Sequence, residues 1–157
     1  MSGFCGILQD SGPVDEGLIT KMREKMHHRG PDEGRNYLDN EHLGLGFRNL
    51  DIFDPAASGQ PMSNEDGSLW LALDGRIYNY KSLRRQLVEK GHKMATQSDA
   101  EVILHLYEEK GSACLQDLRG MFAFALWDKK RRLLFGARDR FGIKPFYYFE
   151  KSGVLAF

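Results

Sequence analysis

The sequence lacks several features that mark particular classes of protein. Lysine plus arginine and aspartate plus glutamate both number 22, so no net charge would draw the chain to nucleic acid or to an anionic membrane. Its longest apolar stretches, such as residues 121–127, are far shorter than the roughly 18 residues of a membrane span. No basic segment followed by a long apolar core opens the chain. These absences predict a cytoplasmic protein without a nucleic-acid or membrane partner.

Cysteine and metal-binding patterns are also scarce. The 2 cysteines, Cys5 and Cys114, are far apart and outside any Cys-x-x-Cys pattern, which argues against a redox pair or a thiolate metal site. The 5 histidines lack ligand spacing, apart from the adjacent His27 and His28. The sequence therefore predicts no metal site.

Length and composition are those of one globular domain, which we place at residues 1–157. With 41% hydrophobic and 28% charged residues, the chain can bury a sizeable core. Helical periodicity predicts helices within residues 18–28, 79–91 and 98–111, and Ser98 and Glu101 have the spacing of a capping box. Apolar runs predict strands at residues 4–8, 43–47, 69–74, 121–127, 133–137, 146–149 and 154–157.

The order of these elements predicts an α+β fold of antiparallel sheets with helices packed outside. Both faces of residues 121–127 are apolar, as in a strand that is covered on both sides. The charged segment 128–131 separates two strands and predicts a hairpin loop with solvated charges.

Seven short blocks occur in one order along the chain. They are Phe4-Cys5-Gly6-Ile7, His28-Arg29-Gly30-Pro31-Asp32-Glu33-Gly34, Gly59-Gln60-Pro61-Met62, Ile77-Tyr78-Asn79-Tyr80, Ser98-Asp99-Ala100-Glu101, residues 118–128 and residues 137–145. This order resembles class II glutamine amidotransferases, specifically the asparagine synthetase branch. The resemblance implies an α-β-β-α sandwich of the N-terminal nucleophile hydrolase type. It also implies a domain that hydrolyses glutamine and passes ammonia to a second, ATP-using synthetase domain.

That synthetase domain is expected to be absent from this chain. Its phosphate-binding signature, Ser-Gly-Gly-x-Asp-Ser, and a Walker-type motif are both missing from the sequence. We therefore expect no cofactor here, and ATP and magnesium are implied only for a synthetase domain in cis or in trans. The oligomeric state stays open, with a homodimer among the options.

In this family the nucleophile is a cysteine at the mature N-terminus, and Cys5 aligns with it. The cysteine's own α-amine, with a pKa of about 7.7 to 8.0, can act as a base for a thiol of pKa about 8.5. The amide nitrogen of an internal cysteine cannot. Removal of Met1 would expose Ser2 instead, so activity would require cleavage of residues 1–4.

The resemblance places the oxyanion hole at Asp74 and Gly75. The family has Asn-Gly-Glu where this chain has Asp74-Gly75-Arg76. An ionised Asp74 would present negative charge to a developing oxyanion, and loss of one donor from such a hole costs roughly 2.7 to 4 kcal/mol. Activity would need a protonated Asp74.

Three positions that hold glutamine in the family map to Asn49, Arg76 and Asp99. The arginine that binds the substrate carboxylate precedes a Leu-x-Ile segment, which places Asn49 at its position, while Arg48 would face the other way. Arg76 replaces a glutamate that binds the substrate ammonium, and would repel it. Asp99 matches the other ammonium-binding carboxylate.

Asp74 and Arg76 lie two residues apart on an extended segment. Their side chains would share one face at a spacing of roughly 6.6 Å, so we expect them to pair and to close the glutamine pocket. In the simpler alternative, both are solvated surface charges at a strand end.

Three functions follow from these observations. The first is a degenerate glutaminase-like domain, kept as the structural or docking half of an asparagine-synthetase-like amide-forming enzyme. The second is a working amidotransferase that is processed to Cys5 and uses glutamine. The third is a non-catalytic ligand-binding module.

Overall fold

The computed structural model describes residues 2–50 and 59–157, which form nine strands, three α-helices and one short 3-10 helix. In chain order these are β1 (Gly3–Gln9), α1 (Glu16–Glu24), β2 (Glu33–Leu38), β3 (Leu43–Asn49), β4 (Met62–Ser63), β5 (Leu69–Ile77), α2 (Tyr80–Glu89), α3 (Asp99–Lys110), the 3-10 helix (Gly111–Gln116), β6 (Gly120–Asp128), β7 (Leu133–Arg138), β8 (Phe149–Lys151) and β9 (Val154–Ala156).

The strands form two sheets with antiparallel pairing. The first sheet has the order β2-β3-β1-β9-β8, and the second sheet has the order β4-β5-β6-β7. In the first sheet Cys5 of β1 lies opposite Gly46 of β3. In the second sheet Gly75 of β5 lies opposite Phe122 of β6. The candidate site residues on β1 and β5 therefore belong to different sheets.

Apolar side chains on both faces of each sheet build four layers. Between the sheets, Leu45 of β3 belongs to one buried cluster with Ala125 and Trp127 of β6. On the outer face of the first sheet, Ile7 and Ile19 join β1 to α1. A third cluster joins β5 and β6 to α2 and α3. The predicted α-β-β-α sandwich is confirmed.

Two strands escape the sequence patterns and a third is misplaced. The edge strand β2 contains Gly34, Arg35 and Asn36, and its pairing with β3 holds it in place rather than an apolar pattern of its own. The strand β4 has only two residues. The prediction of a strand at residues 146–149 is wrong in position, since β8 is Phe149–Lys151. Phe146 instead stacks on Phe157, with ring centroids 6.0 Å apart.

The start of α3 departs from the predicted capping box. The Ser98 hydroxyl accepts a hydrogen bond from the Ala100 amide at 3.1 Å, as an N-cap does. The Glu101 carboxylate does not turn back to Ser98 and accepts hydrogen bonds from the Ala95 and Thr96 amides at 2.6 and 2.8 Å. Glu101 thus fixes the loop that leads into the helix.

The hairpin loop between β6 and β7 is less solvated than its charges suggest. Asp128 is buried, and its carboxylate accepts a hydrogen bond from the Arg131 amide at 3.0 Å. The prediction that all of the loop's charges are solvated is therefore wrong for Asp128.

Within residues 2–50 and 59–157, none of the helices combines the length and the apolar character that crossing a bilayer would demand. A cytoplasmic location and a homodimer remain predictions.

Candidate active site

A chain of polar contacts joins two of the residues that sequence analysis assigned to the site, Asn49 and Asp74, through Ser2 and Arg29. The Ser2 hydroxyl donates a hydrogen bond to the Asn49 side-chain oxygen at 3.4 Å. The Arg29 guanidinium donates to the Ser2 carbonyl at 3.1 Å and to the Asp74 carboxylate at 2.8 Å. These contacts link the beginning of β1 and the end of β3 to the end of β5, across both sheets.

Asp74 is the centre of a buried ion cluster. One carboxylate oxygen accepts a hydrogen bond from Arg29 at 2.8 Å, and the other accepts from the Lys144 ammonium at 3.0 Å. Asp74 is 5% exposed and Lys144 6% exposed, so the pair is shielded from water. The contacts are those of an ionised aspartate, and two cations around one anion leave a local excess of positive charge.

Arg76 pairs with Asp99 and not with Asp74, so the predicted Asp74–Arg76 pair is wrong. The Arg76 guanidinium lies 3.7 Å from the Asp99 carboxylate. The expectation considered only the spacing of the two residues along β5, which stays in regular register with β6 from Leu69 to Ile77. Asp74 instead meets Arg29 and Lys144, and Arg76 meets Asp99, because the tertiary fold brings partners from distant segments to β5.

Asp99 stands at the first position of α3 and is buried. Its carboxylate accepts a hydrogen bond from the Ile77 amide at 2.9 Å, which ties α3 to the end of β5. Burial raises the pKa of the Asp99 carboxyl, and the bond from Ile77 and the charge of Arg76 only partly oppose this effect. The carboxylate that resembles an ammonium clamp thus already has an internal cation partner.

Gly75 has a structural reason to be glycine. A Cβ atom at this position would lie 2.1 Å from the carbonyl oxygen of Met121 on the neighbouring strand β6. Any side chain would therefore collide with backbone. The presence of Gly75 follows from the packing of β5 on β6 whether or not its amide serves an oxyanion.

Cys5 lies inside β1 and its thiol belongs to the α1 side of the first sheet. The sulfur would sit 3.0 Å from a Cβ atom at Gly46, a position that Ile19 of α1 also approaches. The preceding residue, Phe4, packs between the sheets, so strand alternation turns Cys5 outward. Burial raises the pKa of the Cys5 thiol to about 12, and a contact with the Gly46 backbone and the charge of Arg23 only partly offset this. This environment disfavours the thiolate.

The strand β3 directs Arg48 away from the site, as alternation predicts. Arg48 is buried, donates a hydrogen bond to the Gly30 carbonyl at 2.6 Å and contacts His27. Asn49 occupies the site side and meets Ser2. Asp51 and Ile52, which helped to align Asn49, lie outside the described residues.

A cavity of about 430 Å³ adjoins this cluster. Its walls include apolar side chains from the segment after α1 and from the segment before β8, among them Met26 and Phe146, together with the charged Lys25, Arg29 and Asp74. Cys5 borders the same cavity. The space could take a small ligand with an apolar body and an anionic group.

Sequence reasoning missed three members of the site: Ser2, Arg29 and Lys144. Arg29 and Lys144 lie in the recognised blocks 28–34 and 137–145, but no spacing reveals that they converge on Asp74 from 45 and 70 residues away. Gln60 was missed as well, and its amide group brackets the Leu73 backbone with hydrogen bonds of 2.6 and 3.3 Å. These two hydrogen bonds fix the backbone of β5 directly before Asp74.

Comparison with known proteins decides the family. The family model described as glutamine amidotransferase domain matches residues 1–157. The chain belongs to this family. This amidotransferase domain is of the asparagine synthetase type, as the sequence blocks predicted.

The relatives of this amidotransferase domain are much longer proteins. Glutamine-hydrolysing asparagine synthetase 1 of Bacillus subtilis (strain 168) is 45% identical over 153 residues, which cover 94% of this chain and 24% of the relative. Asparagine synthetase 2 of the same organism is 42% identical over 161 residues, covering 100% of this chain and 21% of the relative. The chain thus spans about a quarter of the length of these relatives.

A solved structure supports the fold of the amidotransferase domain. Glutamine phosphoribosylpyrophosphate amidotransferase from B. subtilis superimposes with a TM-score of 0.76 at 20% identity, over 99% of this chain and 41% of that chain. At this level of identity the likeness concerns the fold alone.

Proposed function

We propose that this amidotransferase domain no longer hydrolyses glutamine and serves as the structural or docking half of an asparagine-synthetase-like amide-forming enzyme. The ATP-using half would be supplied in cis or in trans, and the protein would act in the cytoplasm. The observation that carries the proposal is the double ion pair of Asp74 with Arg29 and Lys144.

The ion cluster opposes oxyanion stabilisation. A working hole needs a donor aimed at the position where negative charge develops. Asp74 offers only acceptor oxygens while it is ionised, and both of them are engaged by cations at 2.8 and 3.0 Å. With both oxygens engaged in this way, Asp74 has no hydrogen-bond donor to offer an oxyanion. Removal of one donor from such a hole slows catalysis by roughly 100- to 1000-fold.

The substrate clamp is also changed. The Arg76 guanidinium, 3.7 Å from Asp99, takes the place at which the family would bind the glutamine ammonium. A substrate ammonium would have to displace a permanent cation to reach Asp99. Asn49 hydrogen-bonds Ser2 and supplies no cation for the substrate carboxylate. Both charged ends of glutamine therefore lose their partner at this site.

The nucleophile position supports the same conclusion. Ser2, rather than Cys5, touches Asn49 and Arg29, so we infer that Ser2 occupies the place of the family's terminal cysteine. A serine hydroxyl is a far weaker nucleophile than a thiol at neutral pH. The competing function, an active enzyme processed to Cys5, is favoured by one observation: Cys5 borders the same cavity as Asp74.

The first experiment is an assay of glutamate release from glutamine, together with intact-mass spectrometry of the purified chain. We expect no turnover above the protein-free rate, and a mass that retains Ser2 and Cys5. Turnover by a chain that begins at Cys5 would overturn the proposal.

Substitutions back to the family residues test separately the loss of the nucleophile and the changes in the glutamine pocket. The variant Ser2→Cys/Asn49→Arg/Asp74→Asn/Arg76→Glu restores the family residues at four places, and we expect it to gain glutaminase activity. The triple variant without Ser2→Cys is the matched control and should stay inactive. If Cys5 were the nucleophile, this triple variant would gain activity only in a chain cleaved before Cys5, and Cys5→Ala would abolish it.

A further inference from the structure

We propose that His92, His105 and Glu108 form a binding site for one zinc ion on the α2–α3 side of the domain. The site is independent of the proposed structural or docking role. One potential ligand atom from each of these residues lies within 4.8 Å of the others. Spacing along the chain predicted no metal site, since His92 and His105 are 13 residues apart and only the fold brings them together.

The fold builds the group from two elements. His105 and Glu108 are three residues apart on α3, so they share one face of the helix. His92 follows the end of α2, where Gly91 at φ +100° turns the chain and the His92 amide donates to the Leu87 carbonyl at 3.0 Å. This turn brings the His92 ring edge-on to the His105 ring, with centroids 4.8 Å apart.

The three ligand atoms form a triangle of the size that zinc requires. The Nδ1 atoms of His92 and His105 are 3.1 Å apart, and the Oε2 atom of Glu108 lies 2.9 Å from the His105 Nδ1 and 3.6 Å from the His92 Nδ1. In a tetrahedral zinc site with bonds of about 2.0 to 2.2 Å, neighbouring ligand atoms are about 3.4 Å apart. Shifts of a few tenths of an ångström would complete the geometry.

The number of protons on the two histidine rings also favours a bound metal cation between these three residues. The His92 Nε2 atom lies 3.2 Å from the Glu109 carboxylate, a contact that places the proton of a neutral ring on Nε2 and leaves Nδ1 as an acceptor. The His92 Nδ1 and the Glu108 oxygen then both face the His105 Nδ1, which has at most one proton to donate. A metal ion at the centre would bind all three lone pairs at once.

The surroundings resemble the outer shell of a zinc site. Asn64 donates a hydrogen bond to the second Glu108 oxygen at 2.8 Å and fixes the carboxylate. Glu109 orients the His92 ring, as carboxylates do for zinc-bound histidines. Glu101 and Glu65 lie 3.9 and 4.0 Å from the His105 Nε2. The Lys90 ammonium partly neutralises this negative charge, because it pairs with the Glu109 carboxylate at 2.5 Å.

The site lies apart from the candidate active site and reaches solvent. His105 is six residues beyond Asp99 on α3, or roughly 9 Å along the helix axis. The His105 ring is buried, whereas the His92 and Glu108 side chains are 16% and 28% exposed. Water can therefore supply a fourth ligand, as in zinc sites with three protein ligands.

Calorimetric titration of the chelator-treated chain with zinc chloride tests the site. We expect one equivalent to bind, and His92→Gln and Glu108→Gln to weaken the affinity by about 100-fold or more, since loss of even an outer-shell partner costs about 10- to 100-fold. Asn64→Ala removes such a partner and should cost about 10-fold. The exposed His28 is outside the site, so His28→Gln is the matched control and should bind as the wild type does.

Two further measurements keep the test decisive. Zinc at about 100 times its dissociation constant should raise the Tm of the wild type by roughly 5 to 10 °C and that of His92→Gln by no more than about 2 °C. Nitrogen-15 NMR should show the change at Nδ1, not Nε2, of both rings. Absence of stoichiometric binding, binding by His92→Gln equal to that of the wild type, or loss of binding in His28→Gln would overturn the proposal.

Discussion

The Arg29 guanidinium donates a hydrogen bond to the Asp74 carboxylate at 2.8 Å, although the two residues are 45 positions apart in the chain. Arg29 also holds the Ser2 carbonyl, and Lys144 holds the other Asp74 oxygen. Asp74 therefore connects the first sheet, the second sheet and the segment after β7. Asp74, which the family resemblance assigns to the oxyanion hole, thus joins distant parts of the fold through its ion pairs.

Asp74→Asn should destabilise the fold. The substitution keeps the shape but removes the charge that two cations share, and hydrogen bonds to charged groups contribute about 1.5 to 3 kcal/mol each. We expect the free energy of unfolding to fall by about 2 kcal/mol, measured by urea denaturation. Asp66→Asn is the control, because its pair with Lys130 is on the surface and should matter much less. Equal effects of the two variants would show that the cluster is not an anchor.

The buried thiol of Cys5 should make stability fall at alkaline pH. Its pKa is about 12 in the fold and about 8.5 in an unfolded chain. Between these values the unfolded state loses the proton and the folded state keeps it, so the folded state binds more protons and stability decreases as pH rises. Each pH unit is worth about 1.4 kcal/mol. Between about pH 8.5 and pH 10, the wild type should lose roughly 2 kcal/mol more than Cys5→Ala.

Two comparisons check the assignment of this alkaline effect. Cys114→Ala should give a change of the same sign, because burial raises the pKa of Cys114 to about 11. Ser2→Ala removes no titrating side chain and should leave the pH slope of the wild type unchanged. A Cys5→Ala variant with the wild-type slope would mean that the thiol ionises in the fold, as a nucleophile must.

Local sequence patterns predicted the parts of the fold that depend on local chemistry. The apolar residues on both faces of β6 identified a covered strand, and Ser98 identified the start of α3. The edge strand β2 could not be found in this way, since its Gly34 and Arg35 have little strand preference and β3 stabilises it through pairing. An element that is stabilised mainly by pairing with a neighbouring strand has little sequence pattern of its own.

The candidate site shows the same limit more strongly. Asp99 was assigned from the block that contains it, and Asn49 from the Leu-x-Ile segment that follows it. The partner of Asp74 was predicted wrongly because only nearby residues were considered, while Arg29 and Lys144 arrive through the tertiary fold. His92 and His105 escaped for the same reason. Contacts between segments that are distant in the sequence can be identified only from the structure.

Gly75→Ala should disrupt the second sheet. The new Cβ atom would lie 2.1 Å from the Met121 carbonyl oxygen, and the φ of +147° is unfavourable for alanine. We expect a loss of roughly 3 kcal/mol or more in the free energy of unfolding, since overpacking against a rigid backbone is costly. The measurement is urea denaturation followed by circular dichroism.

Gly67→Ala is the matched control for this substitution. Gly67 also has a positive φ, +68°, but among the described residues no atom lies within 4 Å of the position that an alanine Cβ would occupy. Its cost should be about 1 kcal/mol, from backbone conformation alone. If both variants lost the same stability, the contact with Met121 would not be the reason that position 75 is glycine.

A chain that begins at Cys5 should be less stable than the full chain. This truncation removes Gly3 and Phe4, which pair with β3. The Phe4 ring lies 5.7 Å from the Phe146 ring and 6.4 Å from the Phe157 ring. Loss of a buried phenylalanine costs about 3 to 5 kcal/mol, and partial burial of Phe4 puts the expected loss near 3 kcal/mol. A chain that begins at Gly3 keeps these contacts and is the control. A Cys5-initiated chain that is as stable as this control and hydrolyses glutamine would make residues 1–4 a removable leader. An unstable and inactive one would show that β1 needs Gly3 and that the inter-sheet core needs Phe4.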